Sequence, residues 1–407
     1  MIDKERAWAE KTVGELCLRV TSGGTPSRSN SDFYLNGTVP WIKSGELPDG
    51  YVTKYDEYIS TEAIANSSAK ILPKNTVLMA MYGATVGMLG ILSEPAACNQ
   101  AACAMVVHRE KADPRWLFYA LKNDRDHIVS RANGAAQQNL SGGTIKGLSF
   151  IAPGLMEQQA IAEVLGALDD KIAANTGITL RLDPFLRSIF SSLVGWPDER
   201  VWLSELVTVS KGVSYRSIDL LPSVTALVTL KSFDRLGGYA ARGLKDYVGP
   251  YKGMQVISAG EIAVAQTDLT QAAEVVGRAI RVPASEKHQT LVASLDLAVL
   301  RPVGEMPVEF LLGLLSQGGF REHCKSHTSG TTVLHLAPNA IATFRTPVVS
   351  HDVQLAYASR ARPILEMGDS LDRENVILAA TRDALLPQLM SGKLRVRDAE
   401  TAVEAVV

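Results

Sequence analysis

The chain has 407 residues, 46% hydrophobic and 21% charged, with a formal net charge of −2. That length supports two or three domains with cores of their own. The four cysteines, Cys17, Cys98, Cys103 and Cys324, form no Cys-x-x-Cys pair, which argues against a zinc ribbon or a disulfide scaffold and for reduced thiols in a cytoplasmic protein.

Near-neutral charge does not announce a nucleic-acid binder, but its distribution is uneven. Residues 1–150 and 200–350 together carry roughly +4, and residues 151–199 and 351–407 carry about −6. Two segments therefore suit an acidic partner better than the other two. The opening MIDKERAWAEK is charged and lacks an apolar stretch, so no secretory signal is expected.

In chain order, residues 1–152 read as a strand-rich α+β domain. Turn signals recur at Ser22-Gly23-Gly24, Asn36-Gly37 and Pro48-Asp49-Gly50. Asn75 to Ser93 is uncharged and near the lower length limit of a membrane helix. Gly83, Gly87 and Gly90 interrupt it, and Thr76-Val77-Leu78 favours a strand, so buried strands and no membrane contact are expected. A helix is expected to start at Asp113-Pro114, with Asp113 as N-cap and Pro114 in the first position.

Residues 153–196 predict a long helix. Ile161, Leu165, Leu168, Ile172, Asn175, Thr179, Leu182, Leu186, Ile189 and Leu193 recur at alternating spacings of four and three, a heptad seam of roughly 50 Å. Asn175 and Thr179 are polar within it, and an Asn there can fix register. Pro184 must remove one backbone bond and is expected to bend the helix.

Residues 197–348 predict a second strand-rich domain built like the first. Trp202 is matched to Trp8, and Leu203-Ser204-Glu205-Leu206 to Val13-Gly14-Glu15-Leu16. Thr229-Leu230-Lys231-Ser232 is matched to Trp41-Ile42-Lys43-Ser44, Leu336 to Leu140 and Pro347 to Pro153. The common order, at an offset of about 190–196, reads as a duplicated domain pair rather than a solenoid. Met306-Pro307-Val308 stands where Asp113-Pro114 does. Residues 349–396 predict a second long helix, with Ile364, Leu371, Leu378, Leu385 and Leu389 on the same phase. Gly368, Asn375 and Arg382 hold weaker positions, and Pro363 is expected to interrupt it. The simplest assembly pairs the two helices as an antiparallel coiled coil with one globular domain at each end. Residues 397–407 read as a tail.

Motif chemistry is sparse. There is no Walker A segment, no HExxH, no G-x-S-x-G elbow and no Asn-Pro-Pro-aromatic segment. His323, Cys324, His327 and His335 fit no common zinc spacing, and no carboxylate pair stands out for acid–base work. No catalytic residue, metal or cofactor is assigned to this chain.

The sequence resembles the specificity subunits of type I restriction-modification systems. The resemblance rests on Ser22-Gly23-Gly24-Thr25-Pro26, Val39-Pro40-Trp41-Ile42, the stretch PGLMEQQAIAEVLGALDDKI from Pro153 to Ile172, Thr267-Asp268-Leu269-Thr270-Gln271, and Leu385 through Lys393. It implies an α+β fold of two target-recognition domains separated by two long helices, with a pseudo-two-fold repeat. Each domain would read one half of a bipartite, asymmetric site on double-stranded DNA. The helices would dock two modification subunits, which bind S-adenosylmethionine, and restriction subunits could join them. Such a chain is not itself an enzyme.

Under that resemblance, phosphate contacts position and base contacts specify. Ser22, Gly23, Gly24, Thr25, Arg28 and Lys43 are candidate DNA contacts in the first domain, as are Lys211, Tyr215, Arg216 and Lys231 in the second. Tyr82 and Thr85, Gln137, Gln138 and Asn139, Gln266, Thr267 and Asp268, and Thr331 and Thr332 lie in candidate base-reading loops. Gln and Asn suit adenine, and Thr suits a thymine methyl. Two other readings stand beside this one: a coiled-coil adaptor without DNA readout, and a DNA methyltransferase or nuclease with an unrecognised active site.

Overall fold

The computed structural model describes residues 8–132, 139–195, 197–234 and 237–404. It divides into two compact units. The first comprises residues up to Ala173 together with Asn375 onward; the second is Ala174–Glu374. The expected boundaries at 152, 196 and 348 separate globular parts from helices. The compact units instead each contain one globular part and one half of both long helices.

In the first unit, Thr12 and Glu15 form a reciprocal cap on the short helix Val13–Leu16. The Thr12 backbone N–H donates to the Glu15 carboxylate at 2.7 Å, and the Glu15 N–H donates to the Thr12 hydroxyl at 3.2 Å. A five-stranded sheet follows, in the order Cys17–Ser22, Ala102–Val107, Val77–Ala80, Leu89–Leu92 and Gly50–Val52; only the last pair is parallel. The uncharged Asn75–Ser93 stretch is the antiparallel pair Val77–Ala80 and Leu89–Leu92, buried on both faces. Gly83 and Gly87 turn between the two strands at φ +71° and +82°. Among the described residues, no helix is long and apolar enough to cross a membrane. A smaller sheet joins Glu57–Ile59, Val39–Ile42 and Ala97–Cys98. The helix Pro114–Asn123 starts as expected, with the Asp113 carboxylate accepting from the Arg115 and Trp116 N–H groups at 2.8 and 3.1 Å.

The second unit repeats this plan. The short helix Leu203–Leu206 precedes the strand Val207–Lys211, which pairs with Leu297–Pro302, Ile262–Ala265 and Ala279–Arg281 in turn. Thr225–Val228 runs parallel to Thr290–Ala293, as Val39–Ile42 does to Ala97–Cys98. The match of Leu140 to Leu336 holds. The Leu140 N–H donates to the Met81 carbonyl at 2.9 Å, and the Leu336 N–H to the Gln266 carbonyl at 2.8 Å.

Three other expected matches shift. Trp202 caps its short helix where Thr12 does, so Trp8 is not its counterpart. Lys43 precedes the turn Ser44–Glu46 as Thr229 precedes Leu230–Ser232, which leaves Lys231 two residues further on. Pro153 corresponds to Val349 and not to Pro347: the Gln158 amide donates to the Pro153 carbonyl at 2.9 Å, and the Gln354 amide to the Val349 carbonyl at 2.9 Å.

The long helices run Leu155–Val194 and His351–Met390. Within the second unit their partners descend along one helix as they ascend along the other. Asn175 meets Glu374 at 2.8 Å, Leu182 faces Gly368, and Phe190 packs edge-on against Tyr357 with ring centroids 5.1 Å apart. This is antiparallel pairing. In the first unit Ile161, Leu165 and Leu168 share a core with Leu378, Leu385 and Leu389, and Asp169 meets Arg382 at 2.5 Å. The seam broadens towards Val194, where Leu186, Phe190 and Val194 are buried and Ile189 and Leu193 half-buried.

Neither proline breaks its helix. Pro184 lies inside the first, and Pro363, expected to interrupt the second, sits on an exposed face of an unbroken helix. Pro363 forfeits one bond, to the carbonyl of Ser359, which is itself exposed to water. Ala361 and Tyr357 on the opposite face hold the helix in the core. Gly368 is likewise a fit rather than an erosion: a Cβ there would stand 3.1 Å from Leu182 Cδ1. The expected tail is a helix, Val396–Glu404, whose Ala399 and Val403 close the first unit's core.

Candidate nucleic-acid interface

The expected base-reading loops come together in pairs. In the first unit Tyr82 bridges to Asn139, beside the turn Gly83–Thr85. Gln137 and Gln138 lie outside the described residues. In the second unit Thr267 and Asp268 pair with His335 and Leu334, at the equivalent place. The exposed Gln271 then ties this loop to the next by donating its amide to the Thr331 carbonyl at 2.9 Å. Thr331 and Thr332 are exposed, and Gln266 is half-buried.

Thr267 and Asp268 themselves turn inward, against expectation. The Thr267 hydroxyl donates to Asp296 at 2.9 Å. Asp268 is 3% exposed and accepts from the N–H groups of Thr270, Val275 and Val276 at 2.9, 2.6 and 3.1 Å. Burial raises its pKa, but these donors outweigh burial and hold the carboxyl below its ordinary value. Asp268 is thus an anchor that stiffens the loop and leaves Leu269, 69% exposed, at the surface. Its side chain has no capacity left for a base.

The glycines of the first motif have an internal reason. A Cβ on Gly23 would stand 2.2 Å from the Cys98 carbonyl oxygen, and one on Gly24 2.4 Å from the Ala69 nitrogen. Backbone packs where side chains would be, and this alone requires glycine. Ser22 and Thr25 remain exposed, and the Thr25 hydroxyl bonds to Gln100.

The two sets of candidate phosphate-binding cations differ. Lys43 reaches Glu46 and Glu57, each at 2.8 Å, and Arg28 reaches Glu57 at 2.7 Å while lying over the Tyr34 ring. Hydrogen bonds from Lys43 and then Arg28 hold the Glu57 carboxyl below the usual range. The cluster is neutral as it stands. In the second unit Lys211 and Lys231 are exposed and form no ion pair among the described residues. Arg216 is 84% exposed with Asp219 at 3.9 Å, and Tyr215 accepts from Lys245 at 3.3 Å. Sequence reasoning missed Gln271, Gln100 and Lys245, which become visible only through the partners that folding brings to them.

Among the described residues no group of three His, Cys, Asp or Glu side chains is placed to hold a metal ion. His323 stacks on His327 and bonds to the Ala340 carbonyl at 2.8 Å. Burial pushes the Cys98, Cys103 and Cys324 thiols up to about 12, far from a reactive thiolate.

The family model for the type I restriction modification DNA specificity domain matches residues 5–183. The Escherichia coli EcoR124I/EcoR124II specificity subunit is 26% identical over 164 residues, which is 39% of this chain and 40% of that relative. The Methanocaldococcus jannaschii MjaVIII specificity subunit is 20% identical across 96% of this chain and 94% of its own length. The crystal structure of a type I restriction-modification S subunit from M. genitalium has the same fold, with a TM-score of 0.57 at 17% identity, covering 96% of this chain and 97% of that one. This chain is thus similar to the type I restriction-modification specificity subunits, by the family model over residues 5–183 and by sequence and fold along nearly its whole length.

Proposed function

We propose that this chain is a non-catalytic DNA reader whose two globular domains each recognise one half of a bipartite, asymmetric site. One observation carries the reading. The same strand framework occurs twice, and at one equivalent place it presents different loops: Tyr82–Thr85 beside Asn139, and Leu269–Gln271 beside Thr331 and Thr332. A shared framework with divergent loops is what two half-sites of different sequence require.

In this reading the paired helices dock two modification subunits, which supply S-adenosylmethionine and methylate adenine, and restriction subunits join that core in the cytoplasm. No chemistry is assigned to this chain. Base contacts fall to the exposed loop residues and phosphate contacts to Ser22, Thr25, Lys211, Arg216 and Lys231.

The test is co-expression with a partner modification subunit, followed by genome-wide mapping of methylated adenines. A single two-part motif with a fixed unread gap is expected. Exchanging the first domain for that of a relative should change one half of the motif. A change in both halves would overturn the modular reading.

A further inference from the structure

In the second unit two loops meet at the place where the first unit sets Tyr82–Thr85 beside Asn139. Residues 269–273 follow the strand Thr267–Asp268, and residues 330–333 join the strands Thr328–Ser329 and Leu334–Leu336. Both loops are fixed from within. The Asp268 carboxylate spans the first loop, accepting from the Thr270 N–H near its start and from the Val275 and Val276 N–H groups beyond its end, at 2.9, 2.6 and 3.1 Å. Between them Ala273 is held at φ +51°, a conformation that residues other than glycine rarely adopt. In the second loop a Cβ on Gly330 would stand 2.0 Å from the Val333 carbonyl oxygen. The Gln271 amide, donating to the Thr331 carbonyl at 2.9 Å, then ties loop to loop. The shape of this surface is set before anything binds it.

What the surface offers is chemically narrow. Residues 269–273 and 328–334 carry no charge, and Leu269, Thr270, Gln271, Ala272, Thr331 and Thr332 are exposed on them. Neither loop has the Arg or Lys that most often reads guanine N7 and O6. The Gln271 amide is engaged with Thr331, and the Thr270 hydroxyl donates to Asp268 at 3.0 Å. Methyl groups predominate in what is left, and Leu269, 69% exposed, is the largest apolar side chain among them. A scattered exposed leucine is ordinary. This one differs in being presented at a fixed point by a buried carboxylate. In the major groove the apolar feature of a base-pair edge is the C5-methyl of thymine.

We propose that Leu269 is a specificity-determining residue that packs on a thymine methyl in the half-site read by the second domain. The inference rests on the DNA-reading proposal and adds a statement about the target: that half-site contains an A·T pair recognised from its thymine side. The first unit has Tyr82 and Asn139 at the equivalent place, and the same methyl dependence is not expected of its half.

The experiment uses the full chain in complex with its modification subunit. The motif comes from mapping methylated adenines, and the half that survives exchange of the first domain is the one read by the second. Duplexes carrying the motif are made with uracil in place of each thymine of that half in turn, which removes one methyl and leaves every hydrogen-bonding group. Competition titrations compare the parent with Leu269→Ala and Leu269→Met, whose thermal melts must match the parent. The parent should bind one uracil duplex about fourfold more weakly, as the loss of one buried methyl predicts; Leu269→Met should keep most of that ratio and Leu269→Ala should bring it to about one. A half-site without an A·T pair, no uracil penalty in the parent, or the same penalty in the parent and Leu269→Ala would overturn the proposal. Absence of any two-part motif would refute the DNA-reading proposal and this inference with it, whereas a motif indifferent to Leu269 refutes this inference alone.

Discussion

Asp169 and Arg382 meet at 2.5 Å, one from each long helix, and the same carboxylate accepts the Tyr119 hydroxyl at 2.6 Å. A single half-buried acid thereby ties both helices to the first globular domain. Arg382→Ala should destabilise the protein by about 2 kcal/mol, below the range for a fully buried pair, because 15% and 24% of the two side chains stay exposed. Urea unfolding of the full chain measures this. If the bond rather than packing is responsible, Asp169→Leu with Arg382→Met should recover most of the loss. A double variant as weak as the single one would refute that account.

Gly212→Ala should be among the most damaging single substitutions. A Cβ there would stand 1.9 Å from the Ser294 carbonyl oxygen, and backbone cannot yield as a flexible side chain can. The expected cost is about 3 kcal/mol or more, read as a lower melting temperature. Ser22→Ala, one residue before the equivalent Gly23, should leave melting within about 0.5 kcal/mol. Its effect, if Ser22 touches phosphate, belongs to DNA affinity alone.

Glu57→Gln should strengthen DNA binding. Lys43 and Arg28 now share that carboxylate, and its removal frees positive charge for phosphates. Lys231→Ala should weaken binding and lower the salt slope by about one, because Lys231 is exposed and forms no ion pair among the described residues. Anisotropy titrations at several salt concentrations separate the two. Equal effects from Lys43→Ala and Lys231→Ala in the parent would contradict the difference in charge compensation.

Two carboxyls should give opposite pH dependences. Asp372 is pushed up to about 6 by burial, then by Asp369 and Asp234. Its pKa is higher folded than unfolded, so the folded state holds the extra proton, and stability falls as pH rises from about 4 to about 6. Asp372→Asn should flatten that slope and raise stability at pH 7 by about 1 kcal/mol, allowing for solvent screening. Asp268 is held below its ordinary value, so its contribution is present above pH 4 and is lost as the medium becomes more acidic. Melting curves between pH 4 and pH 8 for parent and D372N test the first; an unchanged slope would rule out Asp372 as its source.

The sequence made the periodic features legible. The seam from Ile161 to Leu193, the cap at Asp113 and the strands on either side of Gly83 follow from spacing and local chemistry, and the structure has all three. The features it obscured depend on what lies across the fold. Pro363 reads as a helix breaker until Ala361 and Tyr357 are seen packed on the other face. Gly368 reads as a gap until Leu182 fills it. Lys43 and Lys231 share a residue type and a similar neighbourhood, yet the strand pairing aligns Lys43 with Thr229. Asp268 had the look of a readout residue because it lies in a polar loop. Three backbone donors that only folding assembles turn it into an anchor.

The first unit is made from both ends of the described chain, with the second unit as one unbroken segment between them. Leu378, Leu385, Leu389, Ala399 and Val403 belong to the same core as Val13 and Trp116, and Trp8 packs over Gly392. During synthesis the second unit therefore has all of its residues before the first does. The earlier-made globular domain must wait, with part of its core uncovered, for about two hundred further residues, a delay of ~10–40 s at ribosomal speed. A premature stop near residue 375 would thus leave the later-made domain intact and deprive the earlier-made one of the leucines that close it.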